Sequence, residues 1–216
     1  MKNRGIALLA GMILLAAVSI LALTASSGMI LQRHMTTNFQ EDALALESAT
    51  VADAYAKAWI YSRPVNQRER GCTNDCVLPA GLVSADTLPE YPELQSAAWW
   101  NANSYHAGNN PDTGETLEID FAGSDPAHWI IGELHYSATG DERGENTAEG
   151  LAYYRIISRG TGRHRNSIAV TESIVVRPWE GEFQAGSYPP RSSSRAFCSQ
   201  FEGRYECGNL SWRRRR

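Results

Sequence analysis

Four cysteines, five histidines and one acidic cluster are the groups in this 216-residue chain whose types and spacing could do chemistry. Cys72 and Cys76 have three residues between them and Cys198 and Cys207 have eight; neither spacing is that of a zinc ribbon. The remaining use is oxidation, in which four cysteines allow three connectivities. The local closures Cys72 to Cys76 and Cys198 to Cys207 are the expected ones. Loop entropy gives such short closures about 2–3 kcal/mol each, against roughly 5 for a bridge across a domain, so their effect is to shape loops. His128 and His135 are seven apart on an expected strand, which sends them to opposite faces and prevents joint metal binding. His34 lies on an expected helix and His106 and His164 in expected loops. Asp141, Glu142, Glu145 and Glu149 lack the D-x-[DN]-x-[DN]-G order of a calcium loop and read as a solvated hairpin connection. There is no H-E-x-x-H, G-x-S-x-G, P-loop or G-x-G-x-x-G, and Gly160-Thr161-Gly162 stands alone. No catalytic, cofactor-binding or metal-binding residue is expected, and the chain does not read as an enzyme.

The elements that carry these groups begin with one long helix, Gly5 to Arg63, free of proline until Pro64. From Gly5 to Gln32 run 28 residues with no ionisable side chain. As a helix they rise about 42 Å, more than the roughly 30 Å of a bilayer's hydrocarbon core. A secretory signal peptide has a shorter apolar centre and a clean small-residue cleavage site, which Ala22 to Ser27 do not supply. Lys2 and Arg4 precede the span, so the N-terminus is expected in the cytoplasm and the rest outside. Further on, Met35, Phe39, Ala43, Leu46, Thr50, Ala54 and Ala58 recur at helical steps, a stripe on which a domain could pack. Glu41, Asp42, Glu47 and Asp53 fall mostly off that stripe, on the expected wet side.

Proline and glycine from Pro64 to Pro126 mark a loop-rich connector, within which Trp99 and Trp100 are expected to pack over a sheet or helix. The period then changes to two. Strands are expected over Glu115 to Phe121, His128 to Tyr136, Leu151 to Ser158 and Ile168 to Arg177, with a turn over Arg159 to Asn166. Four strands with hairpin-length connections form an antiparallel sheet, and the amphipathic helix covers it. After Pro178 the chain reads as irregular, and Arg213 to Arg216 as a solvated basic tail available to lipid headgroups or acidic partners. The formal net charge of −4 does not point to nucleic-acid binding.

Lys2 and Arg4, then Gly5 and an uninterrupted apolar helix, resemble the start of type IV prepilins and pseudopilins. That resemblance implies cleavage after Gly5 by a prepilin peptidase and N-methylation of the new first residue, Ile6. The family's usual glutamate at the fifth mature position is here Ala10. Arg4-Gly5-Ile6-Ala7-Leu8 is similar to the starts of PilX-type minor pilins and of K-type minor pseudopilins of type II secretion, which commonly have an apolar residue there. Gly71 to Pro79 with Trp99-Trp100 resembles the variable loop of PilX-type proteins, and Tyr154 to Gly162 with the strand after it their last hairpin. The Cys198 and Cys207 pair would resemble the C-terminal disulfide loop of pilins.

The resemblance implies an α+β pilin-like fold, a long N-terminal helix on a four-stranded antiparallel sheet. Residues 1–5 would be the leader, 6–32 the membrane and filament-core half of the helix, 33–63 its amphipathic half and 64–216 the periplasmic domain. It implies a minor pilin that helps initiate pilus assembly at or near the tip. Its partners would be other minor pilins, a tip adhesin-like protein, the prepilin peptidase and inner-membrane lipid. A K-type pseudopilin, or an anchored periplasmic enzyme or ligand-binding protein, are the other readings.

Overall fold

The computed structural model describes residues 4–62, 82–84, 88–111, 114–116, 123–138, 150–179, 197–201 and 204–215. Helix α1, Arg4–Tyr61, runs through two structural units, Met1–Glu41 and Asp42–Arg216. In the first unit the described large apolar side chains, among them Leu9, Met12, Leu14, Leu21, Met29 and Phe39, are each more than half exposed. The few hydroxyls there bond backward along the helix: Ser19 Oγ to the Leu15 carbonyl at 2.8 Å and Thr36 Oγ1 to that of Gln32 at 2.9 Å. Such bonds satisfy a hydroxyl within the helix itself, as an apolar surrounding requires.

The second unit is α+β, with the rest of α1 packed on a largely antiparallel sheet. Its strands are β1 (Leu82–Ser84), β2 (Tyr105–His106), β3 (His128–Ala138), β4 (Gly150–Thr161), β5 (Ile168–Pro178) and β6 (Gly208–Arg215). The order is β1-β3-β4-β5-β6, with β2 also on β3. All pairs are antiparallel except β1 with β3. Among the described residues there are six strands, where four were expected. The expected strand over Glu115 to Phe121 falls mostly outside the described residues; within them, Thr116 makes one isolated bridge to Asn109. Strand β4 continues through Arg159 and Gly160 to Thr161, which the sequence reading assigned to a turn.

The reason for that extension is a close approach. A Cβ on Gly160 would lie 2.2 Å from the Ala49 nitrogen and 2.4 Å from the Ala45 carbonyl oxygen, so α1 rests directly on the strand backbone. The buried face of the helix is accordingly made of small residues: Ala45, Ala49, Ala52 and Ala56 are 0 % exposed. The expected stripe is corrected by this: Ala43, Thr50 and Ala54 are exposed and Leu46 is only partly buried. Large residues mark helix faces when the neighbour stands off at side-chain distance; here the neighbour is a glycine, and only a methyl fits. Asp53, placed on the wet side by the sequence reading, is buried as well, paired with Lys57 Nζ at 2.6 Å and accepting from Ser173 Oγ at 2.5 Å.

Toward its end α1 changes character. Trp59, Ile60 and Tyr61 enter the main core with Trp129, Ile131, Tyr154, Ile156 and Trp179. The Trp59 and Trp129 rings lie 5.6 Å apart, and Trp179 Nε1 donates to Tyr154 Oη at 2.9 Å, so the rings pack on one another and the Trp179 N–H has a partner. The sheet's other face is covered by α2 (Ala97–Asn103), which Ser96 caps by accepting from the Trp99 N–H at 3.1 Å. Trp100 is fully buried there over Ile130, Ile157 and Val170, with Trp99 edge-on to it. The connector thus holds β1, α2 and β2, elements too short for periodicity to reveal.

Candidate functional site

Gly5 and Ile6 lie in the first turns of α1, and Ala10 is exposed on it. At the other end of the chain, Arg213, Arg214 and Arg215 are ordered in β6, which corrects the reading of this run as a solvated tail; Arg216 lies outside the described residues. Strand alternation sends successive arginines to opposite faces of the sheet. Arg214 turns toward α1 and grips both carboxylate oxygens of Asp42, with Nη1 to Oδ2 at 2.7 Å. Arg213 and Arg215 turn to the other face and converge on Glu172, where Arg155 joins them. Arg213 Nη2 is 3.0 Å from both Glu172 oxygens and Arg155 Nη2 is 3.1 Å from Oε2. Arg215 also reaches Glu93 Oε2 at 2.9 Å through Nε and the Glu90 carbonyl at 2.7 Å through Nη2. Burial pushes the Glu172 carboxyl up, but hydrogen bonds from Arg215, Arg155 and Arg213 outweigh it and hold the group at about 2. The last strand is therefore clasped to both layers of the domain.

Just before that strand, Cys198 and Cys207 are joined, their Cα atoms 5.4 Å apart. Cys72 and Cys76 lie outside the described residues, as does the acidic loop 141–149. The disulfide sits beside Phe197 and Phe201, both buried in the main core. The Arg177 guanidinium, fully buried, lies 4.0 Å from the Trp179 ring centre and 5.1 Å from that of Phe197, and bonds to the Ile60 carbonyl. It ties the end of β5, the disulfide loop and the end of α1 together.

His34 on α1 and His164 between β4 and β5 are where the sequence reading put them, and the other three histidines are not arranged as expected. A bulge between Glu133 and His135 shifts the register, so His128 pairs with Arg159 and His135 with Tyr153, two positions on the same face of β4. His128 and His135 therefore share a face, but about 20 Å of strand separates them. His106 is in β2 rather than a loop, directly opposite His128, with the rings 4.3 Å apart. His128 is buried with Nδ1 2.9 Å from Ser104 Oγ. Burial, then the neighbouring His106 and Arg159, lower its pKa to about 3. It is a neutral core histidine. Among the described residues no three His, Cys, Asp or Glu side chains come together as a metal site.

The family described as type IV pilus assembly protein PilX, C-terminal, matches residues 42–177, more than half of the sequence. The chain belongs to the PilX family. No curated protein and no solved structure matches it. The PilX match starts at Asp42, where the second structural unit starts, and ends at Arg177, near the end of β5. The disulfide loop and β6 lie beyond the PilX match. A PilX-family domain preceded by a helix long and apolar enough to cross a membrane fits a membrane-anchored pilus component.

Proposed function

We propose that this chain is a minor pilin that helps initiate type IV pilus assembly and takes a position at or near the pilus tip. Its role is structural rather than catalytic. Residues 1–5 are a leader removed by the prepilin peptidase after Gly5, leaving an N-methylated Ile6. Residues 6–32 hold the subunit in the inner membrane, with the domain in the periplasm, and then exchange lipid for the apolar helices of other subunits. The domain chooses its neighbours among the other minor pilins and a tip adhesin-like protein.

The observation that carries the tip assignment is Ala10. An ionisable group within a bilayer costs about 2.5–3.5 kcal/mol unless paired. A carboxylate at this position is useful to a subunit that joins behind another, where a neighbour's N-terminal amine can pair with it; the first subunit has no neighbour ahead of it. Ala10 therefore suits a subunit that starts a filament and is present in few copies. Immunogold labelling of sheared pili tests this: label at filament ends supports it, and label spread evenly along the shaft removes the tip assignment. Deletion of the gene is expected to reduce surface pili far more than the subunit's own abundance would. Normal piliation with loss of protein secretion would instead identify a K-type pseudopilin.

A further inference from the structure

The sheet stops at β6, and among the described residues no strand pairs with its outer edge. Such an edge presents a row of backbone donors and acceptors, which proteins ordinarily blunt with outward charges, proline or a covering element. Two of the three arginines of β6 are unavailable for that role. The side chains of Arg214 and Arg215 are 24 % and 13 % exposed, drawn inward to Asp42, Glu93 and Glu172. The stretch before them, Asn209 to Trp212, is exposed and uncharged, with Leu210 at 50 % and Trp212 at 46 %.

This edge is also rigid. The Cys198 to Cys207 bridge fixes its beginning and the arginine clasp fixes its end, so little ordering is left to oppose association. Charge narrows the choice of partner. Among the described residues of the clasp, Arg155, Arg213, Arg214 and Arg215 face Glu172, Glu93 and Asp42, one guanidinium more than the carboxylates. The side chain of Arg213 is 65 % exposed and carries that surplus at the surface, next to Trp212.

We infer that the outer edge of β6 docks an extended segment of a different pilus subunit, which adds to the sheet as a further strand. That segment carries an aspartate or glutamate opposite Arg213 and an apolar side chain against Trp212. Backbone pairing supplies affinity and the two side-chain contacts supply selectivity. A second copy of β6 fits poorly. Parallel pairing would stack the arginine runs, and antiparallel pairing offers Arg213 no carboxylate, because Gly208 to Arg215 contains none. The inference rests on the reading of the chain as a pilus subunit.

Photo-crosslinking in piliated cells tests it on the full chain. Benzoylphenylalanine replaces Leu210, Trp212 or, as a control, the exposed Asn101 of α2, and adducts in the sheared pilus fraction are identified by mass spectrometry. The expected result is an adduct from the Leu210 and Trp212 positions to an Asp- or Glu-containing segment of another pilus subunit, about tenfold weaker or absent from Asn101. With the probe at Leu210, Trp212→Lys and Arg213→Gln each lower the yield about tenfold, while Arg213→Lys retains most of it. Retention of the Cys198 to Cys207 bridge and of protease resistance shows that these variants are folded. A chain present in pili that gives no adduct at β6, or adducts only to its own residues 180–196 or to a second copy, overturns the edge proposal alone. A chain found in neither the pili nor the pilus-assembly membrane fraction overturns the pilus reading and this inference with it.

Discussion

The two halves of α1 follow opposite rules. The first exposes its leucines, isoleucines and methionines, while the second buries Ala45, Ala49, Ala52 and Ala56 completely. The half with the larger apolar area is the half its own domain leaves open. Burial in the second half is set by how closely the sheet backbone approaches, and Gly160 lets it approach to methyl distance. Apolar size thus marks the face that the domain leaves open, and from Ala45 to Ala56 apolar smallness marks the face fixed within the fold.

The strongest way to break that contrast is to remove one of the large residues, Trp59, Ile60 and Tyr61, with which the second half ends. Trp59→Ala is expected to cost about 3–5 kcal/mol in urea unfolding of the detergent-solubilised full chain. A loss below 1 kcal/mol would mean that the Trp59 and Trp129 contact does not anchor the helix. Next, Gly160→Val should cost about 3 kcal/mol because its Cβ meets helix backbone, which cannot step aside as a side chain can. Gly28→Ala, with nothing within 4 Å of the added Cβ, should leave the domain's melting temperature unchanged. Equal effects at the two glycines would erase the distinction.

Acid sharpens the comparison, because Gly5 to Gln32 carry no ionisable group, whereas the second unit buries His128 and Glu172. His128 is held at about 3, below its ordinary 6.5, so the unfolded chain takes up the proton first. Its contribution is complete above pH 6.5 and lost as pH falls toward 3, about 2 kcal/mol of it by pH 5. Glu172, lowered from 4.5 to about 2, contributes above pH 4.5 and loses that contribution between 4.5 and 2. Solvent around Arg213 screens the latter pair, leaving about 1–2 kcal/mol. Stability curves of Glu172→Gln against pH should lack the lower step alone. The smallest expected effect is that of Leu14→Ala, with a loss of about 0.5 kcal/mol or less to the domain's unfolding. Its consequence should appear in retention of the subunit in membranes and pili.

Strands β3, β4 and β5 were legible because apolar residues alternate along them, and the expected starts and ends differ from the observed ones by at most three residues. Strand β6 was not, since it is held by charge pairs with partners far away in sequence: Glu172 is 41 residues from Arg213, Glu93 is 122 from Arg215 and Asp42 is 172 from Arg214. A run of arginines carries no local sign of such partners. The packing face of α1 was misread because alanine weighs little in any apolar pattern, although a lone glycine within a strand signals close backbone approach. The parity of His128 and His135 failed for one inserted residue, the bulge before His135. Of the candidate site, Gly5, Ile6 and Ala10 enter through resemblance alone, since the residue types themselves are ordinary for an apolar helix.

The alternation of the three arginines has a mechanical consequence. Arg214 ties the last strand to the beginning of the domain's share of α1, at Asp42, while Arg213 and Arg215 tie it to the layer on the far side. A load applied along α1 reaches β6 directly through the Arg214 to Asp42 pair, without first crossing β3 and β4. To let go, the strand must release attachments on both faces of the sheet as well as its ladder with β5, so no single pair holds the whole of it.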